Sequence, residues 1–282
     1  MTRSRRQMQR VLASSWADLG WRGLRRFFIL GARSMLSFRL DVWISLLALV
    51  IQVTLLMVVW RAVYGDRAVV AGIGRDQAVA YAVLAVCLQT MLMPWNFSGL
   101  PLRVRRGLIA VDLTRPQGLI GQNLAQSAGT TAVNAVIGLI GVGWAAILGA
   151  ARPPHGWTQL ATWVLSLVLA LALALLLNLL VSMVTFWTTE VGGAFILYRM
   201  AGAFASGAMI PLWFMPPWLA HILGWLPFQA QVFAPLSLYF GTVTGLAAVT
   251  TVAVQASWVV IIAVLLQVVW LRARRRVVVL GG

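Results

Sequence analysis

PLRVRRGLIAVDLTRPQGLIGQ, residues 101–122, holds four arginines, an aspartate and two prolines in a chain otherwise poor in charge. Apolar runs flank it, about Ala78 to Leu100 before and about Asn123 to Ala151 after. Each is near the roughly 20 residues that an α-helix needs to cross a bilayer. The stretch between them must therefore stay at one membrane surface while the chain enters the membrane on both sides.

Composition supports this reading for the whole chain. Of 282 residues, 61% are hydrophobic and only 10% charged, too few charges to cover a soluble surface. All 22 basic residues are arginines, against six acidic ones, giving a net charge of +16. Such a balance can signal nucleic acid. Here the arginines flank apolar runs, so the expected anionic partner is the lipid bilayer and no nucleic acid.

Six spans are predicted, at about 40–64, 78–100, 123–151, 160–187, 194–212 and 242–271. The expected class is thus an all-α integral membrane protein, one membrane domain over residues 40–271. Residues 1–39 carry nine arginines. Within them Trp21, Leu24, Phe27, Phe28, Met35 and Phe38 fall on one helical face, opposite Arg22, Arg26 and Arg33. That pattern predicts an amphipathic helix lying in the headgroup plane. Arginines do precede the first apolar run, but that run is too long for a signal peptide and no small-residue cleavage site follows. It is expected to remain as the first span.

Arginine placement sets the orientation. With the N-terminus inside, 18 of the 22 arginines lie in cytoplasmic segments, leaving Arg61, Arg67, Arg75 and Arg152 outside. Both termini, including the basic tail 272–282, are then cytoplasmic. Residues 211–241 contain five of the ten prolines and no charge. Trp213, Phe214, Trp218, Trp225, Phe228 and Phe233 lie among those prolines. Proline breaks helices, so short re-entrant helices before the last span are expected, with the aromatics as candidate lining of a path.

Little catalytic chemistry is available. No two of the six acids form a helical pair within a span, and His155 and His221 stand alone. No spacing suits a metal. Cys87 lies inside an apolar run without a partner. Without lysine there is no phosphate-binding loop of the usual kind. Glu190 and Arg199, flanking the entry to the fifth span, are candidate inner-gate charges. Gln52, Gln89, Asn134 and Asn178 are the other polar groups within spans, with interhelical packing as their default role.

Three landmarks carry a resemblance: RRGLIAVDLTRP at 105–116, FWTTEVGGAF at 186–195, and the proline-aromatic stretch from Pro211. Together, in this order, they resemble the permeases of ABC-2 type transporters, specifically the short six-span branch. Relatives often carry an acid after the glycine, where this chain has Leu108. The resemblance implies a non-catalytic membrane subunit of an exporter in the bacterial plasma membrane. It would pair with a second permease subunit and bind separate ABC ATPase subunits, which hold ATP and magnesium; this chain itself would bind no cofactor. It also implies a coupling helix between spans two and three, with Arg103, Arg105, Arg106, Gly107, Asp112, Arg115 and Pro116 in the coupling stretch. Asp112 and Arg115, three apart, would staple its end, and Pro116 would terminate it. The cargo suited to the aromatic path is amphipathic. Rival classes are an ion-coupled carrier, for which intramembrane acids are scarce, and a membrane assembly factor or enzyme working on lipid-linked substrates.

Overall fold

In the computed structural model 81% of the chain is helical, and among the described residues four helices are long and apolar enough to cross a membrane. It describes residues 2–70, 72–92, 99–115, 117–151, 156–188 and 191–280, with side chains from 20 to 276 within those ranges.

Helix α1 (Thr2–Ser37) bends at Phe38 into α2 (Arg39–Tyr64). A two-residue ribbon follows, β1 (Val69–Val70) antiparallel to β2 (Ile73–Gly74), pinned where the Tyr64 hydroxyl donates to the Ile73 carbonyl at 3.1 Å. Helix α3 (Arg75–Leu92) leads towards two short helices, α4 (Leu100–Arg105) and α5 (Ile109–Leu113). Helices α6 (Gly118–Ile147) and α7 (Trp157–Ser182) come next, α7 ending in a 3-10 turn, Met183–Phe186. Then come α8 (Gly192–Ala205), a 3-10 turn at Leu212–Phe214, and the short helices α9 (Pro217–Gly224) and α10 (Phe233–Tyr239). The last helix is α11 (Gly245–Leu280).

The four helices that can cross are α2, α6, α7 with its 3-10 turn, and α11 up to Arg276. Of the six expected spans, these four have the length and composition to cross. Helix α3 has 18 residues, about 27 Å by helix rise, but opens on polar Arg75, Asp76 and Gln77. It is buried from Ala78 to Leu88, and its many alanines suit close packing better than lipid exposure. Helix α8 has 14 residues, about 21 Å, short of a hydrocarbon core of about 30 Å. It ends at Gly207, whose φ of 78° is left-handed. Sequence periodicity placed Leu100 in a span and the start of the third span at Asn123. Instead Leu100 begins α4, and α6 already runs from Gly118. The arginine tail has no break before it: Arg272 to Arg276 continue α11.

Helix α6 is the hub, packed against α1, α2 and α3. Glycines make this possible. A Cβ at Gly138 would sit 2.8 Å from the Cys87 carbonyl oxygen of α3, and one at Gly141 would strike Leu49 and the Cys87 sulfur. At Gly129 a Cβ would lie 1.9 Å from the Phe28 carbonyl oxygen of α1. Small residues allow backbones to approach where lipid supplies no hydrophobic drive for association.

Helix α1 packs along α6. Its contacts advance with α6: Gly23 meets Gln117, Leu24 meets Gly121, and Gly31 meets Gln126. From Gly20 onward it runs alongside α6 rather than across it. The face used is Leu24, Phe27, Gly31 and Met35, while Trp21 and Phe38 project outward.

Elsewhere polar side chains join elements. The Gln255 amide of α11 donates to Ala230 (2.7 Å) and to Ser166 of α7 (3.3 Å). The Gln159 amide donates to the carbonyls of Leu238 (3.2 Å) and Tyr239 (2.7 Å) at the end of α10.

Candidate functional site

Between α3 and α6 the chain turns twice within a few residues. Helix α4 starts with Pro101 in its first turn, where a missing N–H costs nothing. It ends in a Schellman motif: the Leu108 N–H donates to the Arg103 carbonyl (3.0 Å) and the Gly107 N–H to that of Val104 (3.1 Å). The motif requires the left-handed residue that Gly107 supplies, at φ 68°.

The turn brings Arg103 of α4 onto Asp112 of α5. Its guanidinium makes two bonds to the carboxylate, Nε to one oxygen and Nη2 to the other. Asp112 is 1% exposed and Arg103 28% by side chain, so this forked pair is largely withdrawn from solvent. The Gln122 amide adds a bond to the Asp112 carbonyl at 3.0 Å, tying α5 to α6. Asp112 is therefore paired nine residues back, with Arg103. Arg115 instead lies over the Phe27 ring of α1, 5.4 Å from its centroid. The expected Asp112–Arg115 staple is replaced by two ties reaching further.

Underneath, Leu100, Ile109 and Leu119 are buried with Leu179, Met183 and Phe186 from the end of α7 and with Leu266 and Ala273 of α11. The two short helices thus sit as a wedge on the ends of three long ones. Arg272, Arg274, Arg275 and Arg276 are exposed around Ala273, so the loop and tail arginines gather at one end of the bundle. The outward face of the wedge is mixed. Arg105 and Arg106 are exposed, and so are Leu102, Leu108, Val111 and Leu113. Sequence reading selected the charges and missed these aliphatics, whose signal was apolar residues in a stretch too short and too charged to cross. Pro116 lies outside the described residues.

Directly above, Gly99 and Leu102 help to close a cavity of about 420 Å³ that reaches between α1, α2, α6 and α7. Its polar lining includes Asp41, Gln126, Thr131, Asn134 and Asn178. Thr131 and Asn134 are buried, and their Oγ1 and Nδ2 have no hydrogen-bond partner among the described residues. In a protein interior such groups normally find one. Asn134 and Asn178, singled out from sequence, meet here.

The other expected site residues are dispersed. Glu190 lies outside the described residues, and Arg199 is half-buried on α8. Trp213 and Phe233 close around Tyr81, with ring centroids 4.9 and 6.3 Å from it. Phe214 rests on Trp60 at 5.5 Å and Phe228 on Tyr198 at 6.1 Å. Trp218 and Trp225 point outward from α9. Within one chain the six aromatics do not form a common lining; four of them pack structural joints.

These features define an all-helical, multi-pass membrane protein whose most elaborated polar structure is a braced loop at one end. The chain belongs to the ABC-2 family of transporter proteins, whose family model matches residues 49–281. The match begins inside α2, leaving α1 outside it. No curated protein and no solved structure matches the chain.

Proposed function

We propose that this chain is the permease subunit of an ATP-binding cassette exporter in a bacterial plasma membrane, and that α4 and α5 are its coupling element. Helices α2, α3, α6, α7, α8 with the residues after it, and α11 would make six crossings with both termini in the cytoplasm. Helices α9 and α10 would be the re-entrant pair. The permease works with a second permease subunit, and nucleotide chemistry belongs to separate ATPase subunits holding ATP and magnesium.

One observation carries the reading. The α4–α5 wedge is rigid inside, through the Arg103–Asp112 fork and the Schellman turn, and presents a basic and aliphatic face outward. Such a face, apolar contacts with arginines interspersed, suits a soluble protein partner with acidic groups. A push there bears on the ends of α6, α7 and α11 together. It also reaches the polar cavity, since Leu102 contributes to both. Polar Asn134 and Asn178 beside apolar Met35, Phe38 and Leu92 in that cavity suit an amphipathic cargo. Arg103 then acts as a positioning residue within the wedge, leaving direct partner contact to Arg105, Arg106 and the exposed aliphatics.

The test is co-purification with the ATPase encoded beside this gene. Arg105→Glu with Arg106→Glu sets like charge against an acidic partner, a juxtaposition that costs several kcal/mol, so association should fall at least about a hundredfold. The thermal midpoint of the isolated permease is measured beside it, so that loss of docking is separated from loss of fold. Unchanged association and unchanged ATP hydrolysis would exclude the wedge as the docking element.

A further inference from the structure

A second cavity, about 900 Å³, opens on the flank of the bundle between α1, α6 and α7. Its floor is Gly121, Ala125 and Ala128 of α6; Trp21, Leu24 and Phe28 of α1 wall one side, and Ala172, Leu175 and Leu176 of α7 the other. The size is that of a pocket for a drug-sized molecule. Among the described residues, Arg25 is its only charged lining residue. Exposed Arg22 and Arg26 lie beside it on α1.

We propose that this groove binds one anionic phospholipid of the cytoplasmic leaflet, an acyl chain along the α6 floor and the phosphate at Arg25. The proposal rests on the reading that this end of the bundle faces the cytoplasm. The occupant follows from the lining. A groove that is apolar except for one guanidinium at its edge calls for an apolar body with a single anionic end. Arginine forms forked bonds to phosphate, and its aliphatic stem can lie on apolar surface while the head stays at headgroup level. Trp21, at the same edge, is a residue type that favours that level. A second copy of this chain is a poor alternative, because it brings another net charge of +16 to a surface already crowded with arginine. The lipid would fill the gap between α1 and α7 and help hold α1 on the bundle.

The test uses the full-length protein, delipidated in detergent and titrated with dioleoyl phosphatidylglycerol or dioleoyl phosphatidylcholine, with bound lipid read by native mass spectrometry. The wild type should retain the glycerol lipid about tenfold better, the size of one charge-assisted contact. Arg25→Gln should bring the ratio close to one, and Arg25→Lys should keep most of it. Arg33→Gln, an exposed arginine that does not line the groove, should change nothing. Ala128→Phe should fill the floor and reduce retention of both lipids. Equal retention by the wild type would overturn the proposal, as would an Arg33→Gln effect matching that of Arg25→Gln. A shift from paired to single chains in Ala128→Phe, with lipid retained, would assign the groove to a protein interface instead. No ATPase takes part, so a failure here leaves the coupling reading intact, and loss of ATPase docking leaves this one intact.

Discussion

Arg103→Ala should destabilise the chain by about 3–5 kcal/mol, while Asp112→Asn should cost clearly less, about 1–2 kcal/mol. The asymmetry comes from burial. With Arg103 gone, Asp112 keeps a carboxylate that is 1% exposed and has lost both charge-assisted bonds. Its charge is then left without a partner in a dry site. With Asp112 neutralised, Arg103 is 28% exposed and can turn its head to water. Replacing both, as Arg103→Met with Asp112→Leu, should recover most of the loss, because paired apolar groups avoid the desolvation that a buried ion pair incurs. With the wild type and the single variants Arg103→Met and Asp112→Leu, the apolar pair closes a double-mutant cycle, read by thermal unfolding in detergent through the native tryptophans. A coupling energy near zero would mean that the fork does not brace the wedge. The apolar pair also separates rigidity from charge. If ATPase docking survives in it, the fork serves to hold α4 on α5; if docking is lost while stability returns, Arg103 also reaches the partner.

The brace matters because of what lies behind it. A flexible basic loop would yield when pushed, and force applied to it would be spent in bending the loop. The wedge has little freedom to bend: its turn is closed by two backbone bonds and its helices share one forked ion pair. Ile109 and Leu119 are packed against Met183 and Ala273. The Gln122 bond to the Asp112 carbonyl continues the connection into α6, the helix with neighbours α1, α2 and α3. A displacement of the wedge is thereby delivered to the long helices as a body motion. Thr131 and Asn134 line the cavity above with unpartnered polar atoms, and a change in helix spacing there would alter what those atoms can bind.

Much of this was legible in the sequence because bilayers impose a simple rule: about 20 apolar residues, then charge. The rule located α2, α6, α7 and α11 to within a few residues. Its signal is weaker where its assumptions are weaker. Helix α3 is rich in alanine because protein rather than lipid surrounds it, and α8 stops early at a glycine turn, so neither has the length and apolarity of a lipid-facing span. Position and charge flagged the loop, but not its internal geometry. A three-residue spacing suggested Asp112 with Arg115, whereas a turn at Gly107 makes the distant Arg103 the partner. Hydropathy also put Trp21 and Phe38 on the apolar face of α1, while the close contact with α6 is made through Gly31, a residue with no side chain to score. Packing by absence leaves little trace in hydrophobic periodicity.

That contact supports the second large prediction. Gly129→Ala should cost about 3 kcal/mol, at or beyond the upper end for one added methyl in a packed interior. The new Cβ would lie 1.9 Å from the Phe28 carbonyl oxygen and 2.9 Å from the Ala32 nitrogen. Both are backbone atoms of α1, so no rotamer change relieves the clash and the helices must separate. Gly31→Ala meets the same crossing from the other side, its Cβ 2.0 Å from the Gln126 carbonyl oxygen. Gly143→Ala is the control within α6: nothing lies within 4 Å of its Cβ, and removing a helix-interior glycine should stabilise by up to about 1 kcal/mol. The decisive measurement is the double variant. Once α1 has moved away from α6 to admit one methyl, the second costs little, so Gly31→Ala with Gly129→Ala should lose clearly less than the two single losses added together. Strict additivity would mean that each methyl is accommodated locally, and that the backbone contact between α1 and α6 is not what sets their distance.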